Sequence, residues 1–265
     1  MGVDGCPAGW FSVALVERTP AGRRTGEGPE AETAANVEVR MAVDPDADAL
    51  WDRWRSATLL LIDIPIGLVD GPEPRRCDQE ARAMLGPRRS SVFPAPSRAS
   101  LGAPDYPSAS ALNRSISGRG LSRQSWNISP RVAQVDALLR SGARGPDGVS
   151  ARERVREVHP ELLFLGLNRG HPMQHPKRTA AGREERLQVL ERHLPGARAV
   201  VREALERFPR RDVSRDDAVD ALVAAVVAFR SAGRLHRLPA TPERDAEGIP
   251  MAIGYWRAPP SGPGS

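Results

Sequence analysis

Apolar and polar positions alternate at the start of the chain and merge into continuous apolar runs further on. Residues 1–6 (MGVDGC) and 10–18 (WFSVALVER) flank Pro7, Ala8 and Gly9, a pattern of strand, tight turn and strand that predicts a hairpin. Residues 19–35 are rich in Gly, Pro, Glu and Ala without periodicity and predict a loop. Residues 36–43 (NVEVRMAV) alternate again as a third strand. Asp44 or Asp46 is placed to cap a short helix whose apolar face is Leu50, Trp51 and Trp54. Residues 58–64 (TLLLIDI) form the apolar run expected of a strand covered on both faces, stopped by Pro65.

Further along, residues 75–85 predict a helix ended by Gly86 and Pro87. The stretch from 86 to about 130 is long, poor in aliphatics and rich in Arg and Ser, which predicts an inserted loop of functional or disordered character. Residues 131–140 predict an amphipathic helix, 141–150 a Gly-rich linker and 154–159 another strand. Pro160 opens the next helix at its preferred first position. Residues 182–193 and 196–208 predict a packed helix pair. Residues 216–229 (DDAVDALVAAVVAF) are apolar on nearly every side, as in a buried helix. A strand or strap is expected over 249–256 and a disordered tail over 259–265.

This order predicts an α/β protein, a mixed sheet flanked by helices. It is read as one domain over residues 1–258 with the insertion at about 86–130. Hydrophobic residues make up 40% and charged residues 27%, ordinary globular values, and no apolar run approaches the ~20 residues that cross a bilayer. No leader pattern is visible at the N-terminus, so a cytoplasmic protein without membrane association is expected. Cys6 and Cys77 lack metal-site spacing and read as free thiols of a reducing compartment, with a disulfide left open. The formal charge of +5 suits a polyanionic partner. That signal is discounted by composition: Lys177 is the only lysine among 38 basic residues, a bias towards arginine that accompanies abundant Ala, Gly and Pro.

The chemistry concentrates in acidic residues. Ser214 with Asp217 three residues on forms a capping box, and Asp216 and Asp217 suit the positive end of a helix. Asp220 lies a turn deeper between Val219 and Ala221, where no backbone N–H is free. A buried carboxylate there needs a cation. Asp4 ends the first strand, where an Asp-Gly turn is the plain alternative. Asp63 sits near the end of the apolar strand, where turning outward into the Pro65 turn is the alternative. Glu157 falls at a strand end and Glu161 in the first turn of the following helix. His159 stands at an element boundary, a place more often structural. His171 and His175 are four apart, but Pro172 and Pro176 keep them from one helical face and argue against zinc.

The motifs Gly2-Val3-Asp4-Gly5-Cys6-Pro7 with Gly9-Trp10, Ile62-Asp63-Ile64-Pro65-Ile66-Gly67-Leu68, Arg88-Arg89-Ser90-Ser91-Val92-Phe93 with Ala95-Pro96, Glu157-Val158-His159-Pro160-Glu161 and Asp216-Asp217-Ala218-Val219-Asp220-Ala221 occur in this order across nearly the whole chain. Together they resemble the RNase H-like superfamily, and more closely an uncharacterised family of predicted RNase H-like nucleases. The resemblance implies a mixed sheet with its first three strands antiparallel. It also implies Asp4, Asp63, Asp217 and Asp220 as ligands of two Mg²⁺ or Mn²⁺ ions, with Glu157 as a further catalytic candidate. The sequence departs from classical RNase H in showing no clear acidic residue on its first helix. The function expected is metal-dependent hydrolysis of nucleic acid, DNA or RNA unresolved, with Arg88, Arg89, Ser90 and Ser91 gripping the backbone. Oxygen-only ligands favour Mg²⁺ or Mn²⁺. Two alternatives stay open: a non-catalytic nucleic-acid or protein binding module on this fold, and a nucleotide-binding relative of the actin-like ATPases, for which the duplicated phosphate loop is missing. Oligomeric state is not legible.

Overall fold

The computed structural model describes residues 1–18 and 37–258. The loop expected over 19–35 and the tail over 259–265 lie outside the described residues. The chain runs β1 (Gly2–Cys6), β2 (Gly9–Glu17), β3 (Val37–Asp44), α1 (Ala47–Trp54), β4 (Leu60–Ile62), α2 (Arg76–Leu85), α3 (Tyr106–Ser117) and α4 (Arg123–Arg140). It continues through α5 (Ala151–Arg154), β5 (Val155–Glu157), α6 (Pro160–Leu167), α7 (Ala180–His193), α8 (Ala197–Arg207), α9 (Arg215–Ser231), β6 (His236–Arg244) and β7 (Pro250–Tyr255).

The first five strands form one mixed sheet in the order β3-β2-β1-β4-β5. The β1–β2 and β2–β3 pairs are antiparallel, while β1–β4 and β4–β5 are parallel. The expected hairpin turns at Gly9, whose φ of 132° is a conformation L side chains rarely adopt. Alternation along β2 divides the core. Phe11 and Val13 face α6 to α9, whereas Trp10 and Ala14 face α1 and α4. Helices therefore cover both faces, which explains the continuous apolar reading of β4.

The all-apolar helix is α9, as its pattern predicts, and it crosses β1 at very short range. A Cβ added to Gly2 would lie 2.2 Å from Ala221 O and Ala225 N. Only a residue without a side chain lets strand and helix approach so closely, and small residues on α9 complete the fit.

Three expectations are corrected. The segment read as an inserted loop is largely helical: two 3₁₀ turns, Gly86–Ser91 and Arg98–Gly102, precede α3, and α4 begins at Arg123 rather than at 131 and continues through Pro130. Its packing is polar rather than aliphatic. Buried Asn113 accepts from Ser97 N at 2.8 Å and donates to Arg119 O at 2.8 Å, and buried Ser129 donates to Ser125 O at 2.8 Å, so hydrophobic periodicity never appears. The strands expected over 58–64 and 154–159 shorten to three residues each. The late strand β7 has an unanticipated antiparallel partner, β6, whose register shifts between Leu238 and Glu243 and which contains Pro239 and Pro242. Asp46, not Asp44, caps α1, accepting from Ala49 N at 2.8 Å. Asp44 instead pairs with Arg53 at 2.7 Å. Both cysteines are free and buried. No helix among the described residues is long and apolar enough to cross a membrane.

Candidate functional site

Parallel pairing of Val3 with Ile62 leaves Asp4, in the middle of β1 rather than at its end, beside Asp63, just past the end of β4, and Asp63 N donates to Val3 O at 3.2 Å. The pleat then turns both carboxylates to the face opposite Val3 and Ile62, the face over which α9 lies. Asp220 projects from the second turn of α9, only 4% exposed. Three elements distant in sequence thus bring three carboxylates together, and Lys177 stands among them. Its ammonium donates to Asp220 Oδ2 at 2.8 Å and acts electrostatically on Asp63 and Asp4 as well.

Burial and mutual repulsion set the proton affinities. Burial raises the pKa of Asp4 well above the carboxylate range, and Asp220, Asp63 and Asp217 add to the rise while Lys177 opposes it. Asp63 is raised by burial against the pull of His159 and Lys177. Asp220 is raised to about 6, again by burial first, with Lys177 opposing and Asp63 and Asp216 reinforcing. Burial alone would lower Lys177, but Asp220, Asp63 and Asp4 outweigh it and keep the ammonium charged. One cation thus faces three crowded carboxylates.

Asp217 takes the capping role. Its Oδ2 accepts from Ser214 N at 2.8 Å, and its own N donates to Ser214 Oγ at 3.2 Å. Glu157 is paired with Ile62 in register and so projects to the face opposite Asp63. It accepts from Ile66 N at 2.7 Å and forms a very short ion pair with buried Arg75. Burial pushes Glu157 up to about 8 against the pull of Arg75. Glu161 pairs with Arg186 of α7.

A cavity of about 670 Å³ opens beside the carboxylates, and Asp4, Asp63 and Lys177 form part of its wall. Arg88, Ser90 and Ser91 also line it, whereas Arg89 lies outside on the surface. Arg88 donates to Met173 O at 2.9 Å and so holds the segment that carries Lys177. Arg131 and Arg178 add positive charge to the wall. Arg131 also clasps the β1–β2 turn by donating to Cys6 O and Gly9 O. His159 bonds Ser91 O through Nε2 at 3.2 Å, and its buried Nδ1 has no partner.

Sequence reasoning missed Lys177, Arg131 and Arg178 as site residues. It also missed Asp78 of α2, an acid that reaches the cavity wall but pairs with Arg75 at 3.6 Å. The singular lysine in an arginine-rich chain, together with the need of Asp220 for a cation, was the available signal for Lys177. Among the described residues no group of three His, Cys, Asp or Glu side chains is placed to hold a metal ion.

Fold and site together define a mixed α/β protein with a carboxylate–lysine centre beside β1 and the end of β4. The chain belongs to DUF429, a family described as proteins of unknown function, whose model matches residues 2–244. No curated protein and no solved structure matches the chain.

Proposed function

We propose that the protein hydrolyses phosphodiester bonds of nucleic acid at the cavity bounded by Asp4, Asp63 and Lys177. The observation that carries this reading is the convergence of Asp4, Asp63 and Asp220 from three separate elements onto one ammonium beside a cavity walled by Arg88, Arg131 and Arg178. The antiparallel β1–β2–β3 arrangement agrees with the RNase H-like placement that the motifs suggest, and that placement is part of the proposal.

The side chains divide the task. Asp4 and Asp63 face the cavity with raised proton affinity, which suits a group that takes a proton from an attacking water near neutral pH. The arginines and Lys177 stabilise charge on the phosphoryl oxygens. Asp220, behind them, holds Lys177 in place. Mg²⁺ or Mn²⁺ is the cofactor that the motifs imply, but these carboxylates do not fit it while Lys177 stands among them and Asp217 caps α9, so no step is assigned to an ion. A divalent ion would compete with Lys177 for the same oxygens. The same occupancy favours a second reading, a nucleic-acid binding module whose centre is neutralised by its own lysine.

The test is cleavage of labelled single-stranded, duplex, hybrid and branched substrates with Mg²⁺, with Mn²⁺ and with chelator, comparing wild type with Asp4→Asn and Asp63→Asn. Cutting abolished in both variants is expected. Absence of cutting on every substrate, with salt-sensitive binding that chelator leaves unchanged, would sink the hydrolase in favour of the binding module.

A further inference from the structure

A second cavity, of about 290 Å³, lies on the other side of β5, under the β6–β7 hairpin. Its rim carries four arginines: Arg152, Arg156, Arg237 and Arg244. Among the described residues none of them forms an ion pair. Three are instead fixed by backbone carbonyls, which orient a guanidinium without neutralising it. Arg152 donates to Leu139 O at 2.6 Å and Glu247 O at 3.2 Å, Arg156 to Arg152 O at 2.8 Å and Val155 O at 2.9 Å, and Arg244 to Gly248 O at 2.6 Å. Each retains N–H donors beyond these bonds.

The two acids of the wall are committed elsewhere. Glu153 accepts from Ser150 N and Oγ at 3.0 and 2.7 Å, and Glu157 is held by Arg75 and Ile66 N. Arg156 feels the shortage: burial lowers its pKa first and the neighbouring Arg237 lowers it further, with Glu153 only partly offsetting them. Apolar Leu139, Val155 and Ile249 form the floor. Four guanidiniums over an apolar floor, three of them held by backbone carbonyls, outnumber the one acid of the wall that no cation pairs, Glu153, and form a binding site for an anion with planar or tetrahedral oxygens.

We infer that this cleft binds a phosphate group, the phosphate on Arg156 and Arg237 and the rest of a small phosphate ester on the apolar floor. Glu157 lines both this cleft and the first cavity, but the arginines lie on its far side from Asp4 and Asp63, and binding here does not depend on catalysis at the carboxylate centre.

Calorimetric titration of the full chain, with chelator present and ionic strength held constant, tests this with three probes: inorganic phosphate, adenosine 5′-monophosphate and a single-stranded oligonucleotide. Binding is expected to weaken about tenfold or more in Arg156→Gln and in Arg237→Gln, the loss of one charge-assisted contact, and to persist in Asp4→Asn. Arg237 is exposed and its replacement leaves the fold intact, so its result stands even if the Arg156 variant misfolds. Weakening seen with the oligonucleotide alone would name a nucleic-acid backbone as the source of the phosphate. Binding of none of the probes at millimolar concentration, or binding that both substitutions leave unchanged, would overturn the inference.

Discussion

Lys177 Nζ donates to Asp220 Oδ2 at 2.8 Å, tying the segment before α7 to the second turn of α9. Asp220 is almost wholly buried while Lys177 keeps 43% of its side chain exposed, so water screens part of the attraction. Lys177→Met is expected to destabilise the protein by about 2 kcal/mol, most of it the cost of an uncompensated carboxylate. Lys177→Met combined with Asp220→Leu should recover most of that loss. Urea denaturation of the four members of the cycle measures the coupling, and additive losses would show that the pair is energetically idle.

The carboxylate centre should gain stability from mild acid. The native state binds the Asp220 proton with a pKa of about 6, against 3.8 for the ordinary carboxyl, so it takes up that proton before the unfolded chain does. The Asp220 contribution to stability therefore rises as pH falls from 7 towards 5 and the burial-raised Asp4 acts in the same direction, while the buried Met1 amine, lowered by burial to about 5, acts in the opposite one. The Asp220 contribution is at most about 3 kcal/mol. Thermal unfolding across this range should show a less favourable response to acid in Asp220→Asn than in wild type.

Gly2→Ala should be among the most damaging single substitutions. Its methyl group would meet Ala221 O and Ala225 N at 2.2 Å, both backbone atoms of a buried helix, so α9 must move away from β1. A loss of about 3 kcal/mol is expected from overpacking of this kind. The displacement also separates Asp4 from Asp220. Calorimetric unfolding checks the first effect; nucleic-acid cleavage falling further than stability explains checks the second.

Arg98 binds three carboxylates at once: Asp70 at 2.9 Å, Asp136 at 3.1 Å and Asp245 at 2.5 Å. It joins the 86–130 segment to α4 and to the turn of the β6–β7 hairpin. Arg98→Met leaves the buried Asp136 with only the exposed Arg140 and Asp245 with only backbone N–H donors, and is expected to cost about 3 kcal/mol. Arg98→Lys should restore little, since an ammonium cannot reproduce the fork. Denaturant midpoints of the two variants decide this.

The parts of the fold that were legible in the sequence are those where hydrophobic periodicity and backbone chemistry agree. The hairpin at Gly9, the helix opened by Pro160 and the buried α9 with its Ser214–Asp217 cap all follow from local signals, as does Asp220 as an acid lacking a local reason, whereas Asp4 and Asp63 each had a local alternative and Asp4 does accept from Gly5 N at 2.8 Å. The 86–130 segment was misread because Asn113, Ser125 and Ser129 pack through hydrogen bonds, and Pro130 looks like a breaker although α4 runs through it. β6 was missed because Pro239 and Pro242 speak against a strand. Lys177 was noted but not placed, since its role depends on a segment returning to carboxylates more than forty residues away from it on either side in the chain.

Residues 4, 63 and 220 supply the centre, and the last of them belongs to an element made late in synthesis. A nascent chain halted before α9 carries Asp4 and Asp63 on a sheet whose five strands are made but whose face is not yet covered by α9, with Gly2 exposed and Lys177 without its main acceptor. Assembly of the site must therefore await contacts between the two ends of the sequence, a non-local and intrinsically slow closure. If the centre cuts nucleic acid, a chain still on the ribosome, surrounded by RNA, is harmless by construction.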